Sequence, residues 1–536
     1  MQYQGGWPAD QSGLTKIAER LVEAALRHGA DAADAVAVRG ISQSIDVRDG
    51  SVEESQRSEG DNVGLRAFVG HRQAVVSTND LSGQGADAIA ERVVAMARAA
   101  PEDRFAGLAD EKSLARDLPD LDLLDAALPT VRDLEELART AERAATAVNG
   151  VTKSGGASAS AGVGGMVLVT SAGFRGAYLG SHYGISVEAI AGEGTAMESD
   201  HDSSSARHAE NLEAAEVIGK SAGERAAIAV NGVTKSGGAS ASAGIGGMVL
   251  VTSSGFSGAY LGSRHGLSIE AIAGEGTGME RDYDFSSARH GVDLEAAEKI
   301  GRSAGERAVK RLNPRKVSTR RVPVVYDHRV ASSLIGHLSS AINGSALARK
   351  TSFLQKDLGE QVFAAGITII DDPRRPRGLR SQPFDAEGVA TARRALVENG
   401  VLKSWILDCA SARELGLTTT GHAQRGVSSV PSPGATNLHL EPGRASPQEL
   451  IADIEDGLYV TDLIGMGANI VTGDYSRGAA GFWIEHGELT YAVSEVTIAG
   501  HLRDMFRALT PANDLTFRYA INAPTVRVED LTVAGV

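Results

Sequence analysis

Thirteen histidines and a single cysteine are the side chains through which this chain of 536 residues could do metal or nucleophilic chemistry, and their spacing limits them. Zinc hydrolysis needs two histidines about a helical turn apart, a third ligand, and a carboxylate to activate water. Neither HExxH nor HExxxH occurs. His422 with His439, and His486 with His501, lack helical ligand spacing. A serine nucleophile would sit in Gly-x-Ser-x-Gly on a strand-to-helix elbow, and the nearest strings, GASASAG and GDYSRG, miss that pattern. Gly465-Met466-Gly467-Ala468-Asn469 lacks the third glycine and following helix of a dinucleotide loop, so it reads as a tight turn. Cys409, in WILDCASAREL without a flanking histidine, reads as a buried inert thiol. As the lone cysteine it excludes internal disulfides and paired-thiolate zinc, and it fits a reducing cytosol. Asp371-Asp372 before Pro373 reads as a solvated turn. His422 and Arg425, in TTTGHAQRG, are the best exposed polar candidates for holding a peptide backbone or a carboxylate.

The question of catalysis is decided in residues 324–354, VVYDHRVASSLIGHLSSAINGSALARKTSFL. Asp327 is placed as an N-cap, and Val330, Leu334, Ile335, Leu338, Ala341 and Ile342 recur on one helical face, which predicts a helix buried along that face. Gly336, Ser339, Ser340 and Gly344 lie between them and permit close backbone approach, with His337 the only histidine among them. His337 has no partner nearby and reads as a packing or cleft residue rather than a base, and Asn343 is a further peptide-cleft candidate.

Several elements must position this helix. Residues 14–30 predict an amphipathic helix ending at Gly29, followed by short runs separated by turns that predict an antiparallel sheet, and then a helix after Asp80 and Ser82. Residues 1–107 read as an N-terminal α/β domain, 108–315 as a central α+β domain, and 316–536 as a mainly β domain. In the last, QVFAAGITIIDD, VLKSWILDC and LIGMGANIVTG are expected as strands, and Glu485-His486-Gly487-Glu488 as a hairpin turn. A short helix is expected over 501–509.

The central segment contains a tandem duplication. Residues 142–223 recur as 224–305 with 17 differences over 82 positions. Glu142-Arg143-Ala144, Glu224-Arg225-Ala226 and Glu306-Arg307-Ala308 mark the start, middle and end, as unequal crossing-over at a short match would leave them. Differences on predicted strands are mild (Val163 against Ile245, Ile185 against Leu267, Val187 against Ile269), as packed strands tolerate. Both copies are therefore expected to fold, each adding strands and a helix from Leu212 or Leu294.

A formal charge of −15 and a pI near 5.4 argue against direct nucleic-acid binding, which needs a net basic face. The densest basic run, Arg374, Arg375 and Arg377, is flanked by Asp371 and Asp372. The first residues carry no basic n-region or apolar core, and no run approaches 18 apolar residues, so neither export signal nor membrane span is expected.

The strings GLRAFVGHRQAVVSTNDLS, AIAGEGTGMERDYDFSSARH, FLQKDLGEQVFAAGITIIDDP, RGLRSQPFD, GVATARRALVENG and LIGMGANIVTGDYSRGAAGFW together resemble the TldD/PmbA family, historically called modulators of DNA gyrase, in its PmbA (TldE) branch. The resemblance runs from about residue 14 to the end, with one copy of the duplicated unit surplus. It implies a multi-domain α+β fold of antiparallel sheets with packed helices, and an intracellular metallopeptidase in which a TldD-type subunit carries HExxxH and pairs with a PmbA-type subunit around a cleft for unfolded peptides. Peptide maturation and antitoxin turnover are the associated roles. Laid on this chain, the motif falls at Gly336, His337 and Ala341, none of them the expected residue. The reading is a cytoplasmic, zinc-free, non-catalytic partner of a zinc-bearing TldD-like subunit. The rivals are a free-standing peptide-binding or scaffold protein, and an autonomous hydrolase with an unrecognised site.

Overall fold

A computed structural model of the chain describes residues 12–80, 85–119, 121, 130–147, 151–170, 175–191, 198–206, 215–216, 233–251, 257–273, 280–288, 306–307, 309–376, 378, 380–465, 467–517 and 519–535. The fold is α+β, with antiparallel sheets and packed helices. Helix α1 (Ser12–Arg27) buries Leu14, Ala18, Leu21, Val22 and Ala25 and ends before Gly29, whose φ of 91° supplies the left-handed stop. Helix α2 (Gly85–Ala99) buries Ala90, Val93, Val94 and Ala97. Both pack on a six-stranded sheet of order β3-β2-β1-β4-β5-β6.

Its strands are β1 (Ala32–Arg48), β2 (Ser51–Val69), β3 (Arg72–Thr78), β4 (Val151–Thr170), β5 (Arg175–Ala191) and β6 (Glu198–Ala206). The β1–β2 hairpin turns on Asp49 and Gly50, both at positive φ, the backbone a two-residue primed turn requires. Helix α3 (Val131–Thr146) reaches this turn. Glu142, buried, accepts the Asp49 and Gly50 N–H groups at 2.7 and 2.8 Å. Sheet continuity therefore crosses from the first segment into the first copy of the duplication, with β1 pairing β4 antiparallel through Val38↔Met166.

The second copy forms a separate three-stranded sheet: β7 (Val233–Val251), β8 (Ser257–Ala273) and β9 (Glu280–Ala288). Strand β7 lies against β4, β5 and β6. Both copies thus contribute strands, whereas the helices expected from Leu212 and Leu294 lie outside the described residues apart from a helical step at 215–216.

The remainder is built on two further sheets. In the larger, β10 (Arg320–Tyr326), β17 (Asp456–Ile464), β18 (Asp474–Glu485), β19 (Glu488–His501), β20 (Leu509–Pro511) and β22 (Val526–Ala534) run in the order β10-β17-β18-β19-β22-β20. Strand β22 also pairs with β10, closing the sheet on itself and leaving few free edges. The β18–β19 turn at His486-Gly487, both at positive φ, is the expected hairpin. The smaller sheet runs β13-β12-β11-β16-β21, from β11 (Ile369–Asp371), β12 (Arg394–Glu398), β13 (Val401–Leu402), β16 (Leu438–Leu440) and β21 (Ile521–Asn522). A two-residue pair, β14 (Ala423–Gln424) with β15 (Ser432–Pro433), orders the long loop between them. No described helix is long and apolar enough to cross a membrane.

Three expectations need correction. VLKSWILDC is not one strand: only Val401–Leu402 pairs, and Asp408 caps a helix α6 (Cys409–Glu414) by accepting the Ser411 N–H at 2.9 Å. QVFAAGITIIDD is extended only over Ile369–Asp371. The turn at LIGMGANIVTG follows from Ile464 ending β17 and Gly465 taking a φ of 78°.

Candidate functional site

The predicted helix forms as α4 (His328–Ala341), and its cap is the one expected. Asp327 accepts the Arg329 N–H at 3.0 Å and receives the Tyr459 hydroxyl at 3.1 Å. Val330, Leu334, Ile335, Leu338, Ala341 and Ile342 are all buried, so the apolar face read from the spacing is the packed face. Arg329 is buried with them and bonds Asp327 at 2.9 Å and Asp282 of β9 at 2.8 Å. Burial alone would lower its pKa, but the two carboxylates hold it well above the ordinary range. The second copy of the duplication is thereby tied to the cap of α4, and Arg311 adds a bond to the same Asp282 at 3.3 Å.

The less buried face of α4 carries little reactive chemistry. Ser333 and Ser340 donate to the carbonyls of Val330 and Gly336, at 2.7 and 3.0 Å, satisfying themselves on their own helix. His337 is half-buried, edge-on to Tyr475 at 5.9 Å between ring centroids. Its Nε2 is buried without a hydrogen-bond partner among the described residues. Burial, reinforced by Arg477, lowers its pKa to about 4. The sign follows: the unfolded imidazole binds a proton below about 6.5 and the folded one does not until about 4. His337 therefore subtracts stability as pH falls through that window. Proton NMR of the imidazole should show it neutral at pH 6, and a midpoint near 6.5 would contradict this environment.

The three motif positions do not fit zinc. Gly336 has no side chain, His337 presents one lone imidazole, and Ala341 is fully buried at the last turn. Among the described residues no three His, Cys, Asp or Glu side chains gather closely enough to hold a metal ion. Space is not the obstacle at position 336, where an added Cβ would meet nothing nearer than Ile521 Cδ1 at 4.0 Å. Gly336→Ala should accordingly raise stability by about 0.5–1 kcal/mol through helix propensity. A lower melting temperature for that variant would show that the gap is needed.

The four cleft candidates take different polar roles, with Asn343 and His422 both bonded to the Pro433-Gly434 segment. Asn343 caps the short helix α5 (Gly344–Ala348), accepting the Ser345 N–H at 3.0 Å and donating to the Pro433 carbonyl at 2.8 Å. His422 and Arg425 are buried, correcting the expectation that they are exposed. His422 sets Nε2 against Asp371 Oδ2 at 3.1 Å and Nδ1 against the Thr420 hydroxyl at 2.8 Å. Asp371 also receives the Thr436 N–H and hydroxyl at 2.8 and 2.5 Å, so it is fully buried and not the solvated turn expected before Pro373. Turn residues in sequence become core residues because β11 places Asp371 between β12 and β16.

Arg425 reaches across to β1 and donates to Asp34 at 2.9 Å, while Arg66 of β2 donates to the same carboxylate at 3.0 Å through Nε and again through Nη2. Burial would raise the Asp34 pKa, but Arg425 and Arg66 together hold it below the usual range. Beside them Asp385 accepts the Glu387, Val389 and Ala423 N–H groups, and Glu387 accepts the Cys409 N–H at 2.7 Å. Burial, then the neighbouring carboxyl, pushes Asp385 well up, and burial pushes Cys409 up likewise. The thiol is buried as expected, and the Glu387 and Asp385 carboxyls add to burial in favouring its protonated form. This polar seam joins the first sheet to segments 384–389 and 423–427, whose apolar members share its core. Single-residue reasoning missed it because Asp34 and Arg66 look like ordinary strand charges. The signal available was Asp34 within the otherwise apolar run AADAVAV.

Comparison with known proteins agrees with this architecture. Family models for the PmbA/TldA metallopeptidase match in three parts: domain 1 over residues 33–97, the central domain twice, over 124–230 and 227–312, and the C-terminal domain over 319–535. The double central match coincides with the two copies. The chain is 33% identical to Metalloprotease PmbA of Escherichia coli O157:H7 over 525 residues, covering 97% of this chain and 96% of that one. A crystal structure from Bacteroides thetaiotaomicron, described as a modulator of DNA gyrase, aligns with a TM-score of 0.67 at 25% identity over 97% of this chain and 98% of its own. TldE from Thermococcus kodakarensis shares the fold, with a TM-score of 0.67 at 18% identity over 97% of this chain and all of its own (100%).

Proposed function

We propose, from the premise that this chain belongs to the PmbA/TldD metallopeptidase family, that it is the zinc-free subunit of a two-chain intracellular peptidase. Its partner would be a TldD-like chain carrying HExxxH and the zinc, and its substrates unfolded peptides. The observation that carries this reading is the set of residues at the motif positions. Gly336 and Ala341 cannot ligate a metal, and His337 is a lone neutral imidazole. The work left to this chain is mechanical: α4 presents a face of small residues, held by the Asp327 cap and the packed side, that can wall a cleft and orient a peptide backbone. Proton transfer and water activation belong to the partner. The net charge of −15 favours a peptide role over direct contact with DNA.

Co-expression with a family member that carries HExxxH tests the pairing. The expected result is co-purification in equal amounts, with cleavage of an unfolded peptide by the pair. Separate elution, with full activity in the HExxxH chain alone, would favour the rival reading of a free-standing peptide-binding or scaffold protein.

A further inference from the structure

The run Arg374-Arg375 is not a solvated charge pair. Arg375 is half-buried at the end of the small sheet, where its guanidinium carbon lies 3.5 Å from the centroid of the Phe517 ring. Phe517 in turn meets His439 of β16 edge-on at 5.1 Å. Arg329, Arg503 and Arg527 each meet a carboxylate, at 2.9, 2.7 and 2.6 Å. Arg375 meets none within 4.0 Å among the described residues. The carboxylate that acts on Arg375, Asp372, and the one beside His439, Glu441, have other partners. Asp372 accepts the Arg374 N–H at 3.0 Å. Glu441 faces Arg393 at 3.4 Å and His439 at 3.6 Å.

Hydrogen bonds tie Asp372, Arg375 and Ser381 to Asn437 and to one another. Asn437 donates to the Asp372 carbonyl at 2.7 Å and to the Ser381 hydroxyl at 2.9 Å, and Ser381 closes onto the Arg375 carbonyl. Burial lowers the pKa of Arg375, with Asp372 only partly opposing it, so the charge is desolvated without full compensation. Burial lowers the pKa of His439, Glu441 and an Asn437 backbone hydrogen bond oppose that, and Arg375 and Arg393 add smaller contributions against a charge on the ring, so both guanidinium groups lie within electrostatic reach of it. A stacked guanidinium keeps its planar N–H fork free, aimed and partly desolvated, the arrangement that recognises a carboxylate bidentately.

We propose that Arg375, stacked on Phe517 beside His439 and Arg393, is a binding site for the carboxylate of a peptide, supplied by its C terminus or by an Asp or Glu side chain. The choice of a peptide as carrier rests on the family reading above; the choice of a carboxylate rests on the site.

Fluorescence polarisation on the full chain tests it with three fluorescein-labelled six-residue Ala/Leu probes: a free acid, its C-terminal amide, and an amide with one internal glutamate. The expected result is that Arg375→Ala weakens the free acid at least tenfold and that amidation weakens the wild-type chain equally. Amidation should have no further effect in Arg375→Ala. Arg375→Lys should recover part of the affinity, and Phe517→Ala should lose part. These two milder variants keep the test valid if Arg375→Ala misfolds. Recovery by the internal glutamate, dependent on Arg375, would assign the side-chain carboxylate as the source. Equal binding of acid and both amides, unchanged affinity in the variants, or no binding of any probe at millimolar concentration would each overturn the site. Because binding is read on this chain alone, its failure is distinct from failure of the partner reading, which is judged by cleavage.

Discussion

Replacing Asp34 with alanine should destabilise the folded chain by about 3–5 kcal/mol, the range for removing one member of a buried ion pair. The magnitude follows from what is left behind: Arg66 and Arg425, both buried, would lose the single carboxylate they share. The seam is close-packed as well as charged. Gly64 of β2 lies so near the chain crossing it that a Cβ there would sit 1.7 Å from the Val427 carbonyl oxygen, so the strand cannot shift to compensate. Two probes separate local from global loss. Trp405 and Trp483 are buried in the C-terminal part and report on it by fluorescence, whereas far-UV circular dichroism reports on the whole chain. In Asp34→Ala the two denaturant transitions should separate; coincident transitions with unchanged midpoint would show that the seam contributes nothing. The pH dependence has a definite sign. With its folded pKa depressed, Asp34 contributes stability that is present above about pH 4 and is lost as pH falls through the lower folded value. Asp34→Asn should remove that acid-sensitive part.

Deleting residues 142–223 should leave a soluble, cooperatively folded protein, although it removes three strands of the first sheet. Joining Ala141 to Glu224 puts a glutamate back where Glu142 caps the Asp49-Gly50 turn. Strand β7 can then take the place of β4, since the register that pairs with β1 meets one difference, Val163 against Ile245. One methylene is worth only about 0.8 kcal/mol. In the intact chain the two tasks are divided: the first copy pairs with β1, and Asp282 of the second meets Arg329 at the cap of α4. After the deletion one unit would serve both. The chain's single, buried cysteine makes the replacement easy to verify. A Val38→Cys, Met248→Cys pair should form a disulfide in the deleted chain, as the Val38↔Met166 register implies. Aggregation of the deleted chain, or no cross-link at that pair, would mean that each copy has become specific to its place.

What the sequence disclosed and what it withheld divide along physical lines. Helix α4 was legible down to its cap because helical spacing and an N-cap aspartate are local signals, and Asp327, Val330, Leu334 and Leu338 behave as their spacing predicts. The hairpin at His486-Gly487 and the duplication were legible for the same reason. The roles of His422 and Arg425 were not, since their partners, Asp371 and Asp34, lie 51 and 391 residues away in the chain. A polar residue in a glycine-rich loop looks exposed until its distant carboxylate is known. Arg375 was hidden in the opposite way, its flanking aspartates suggesting neutralisation that the folded loop does not provide.

In the proposed role this chain supports peptide cleavage without holding the metal. The most direct measurement is metal content by mass spectrometry together with peptide cleavage, on the purified chain incubated with zinc and desalted. The expected result is zinc far below one per chain and no chelator-sensitive cleavage until an HExxxH partner is added. One zinc per chain with chelator-sensitive cleavage by this chain alone would contradict it.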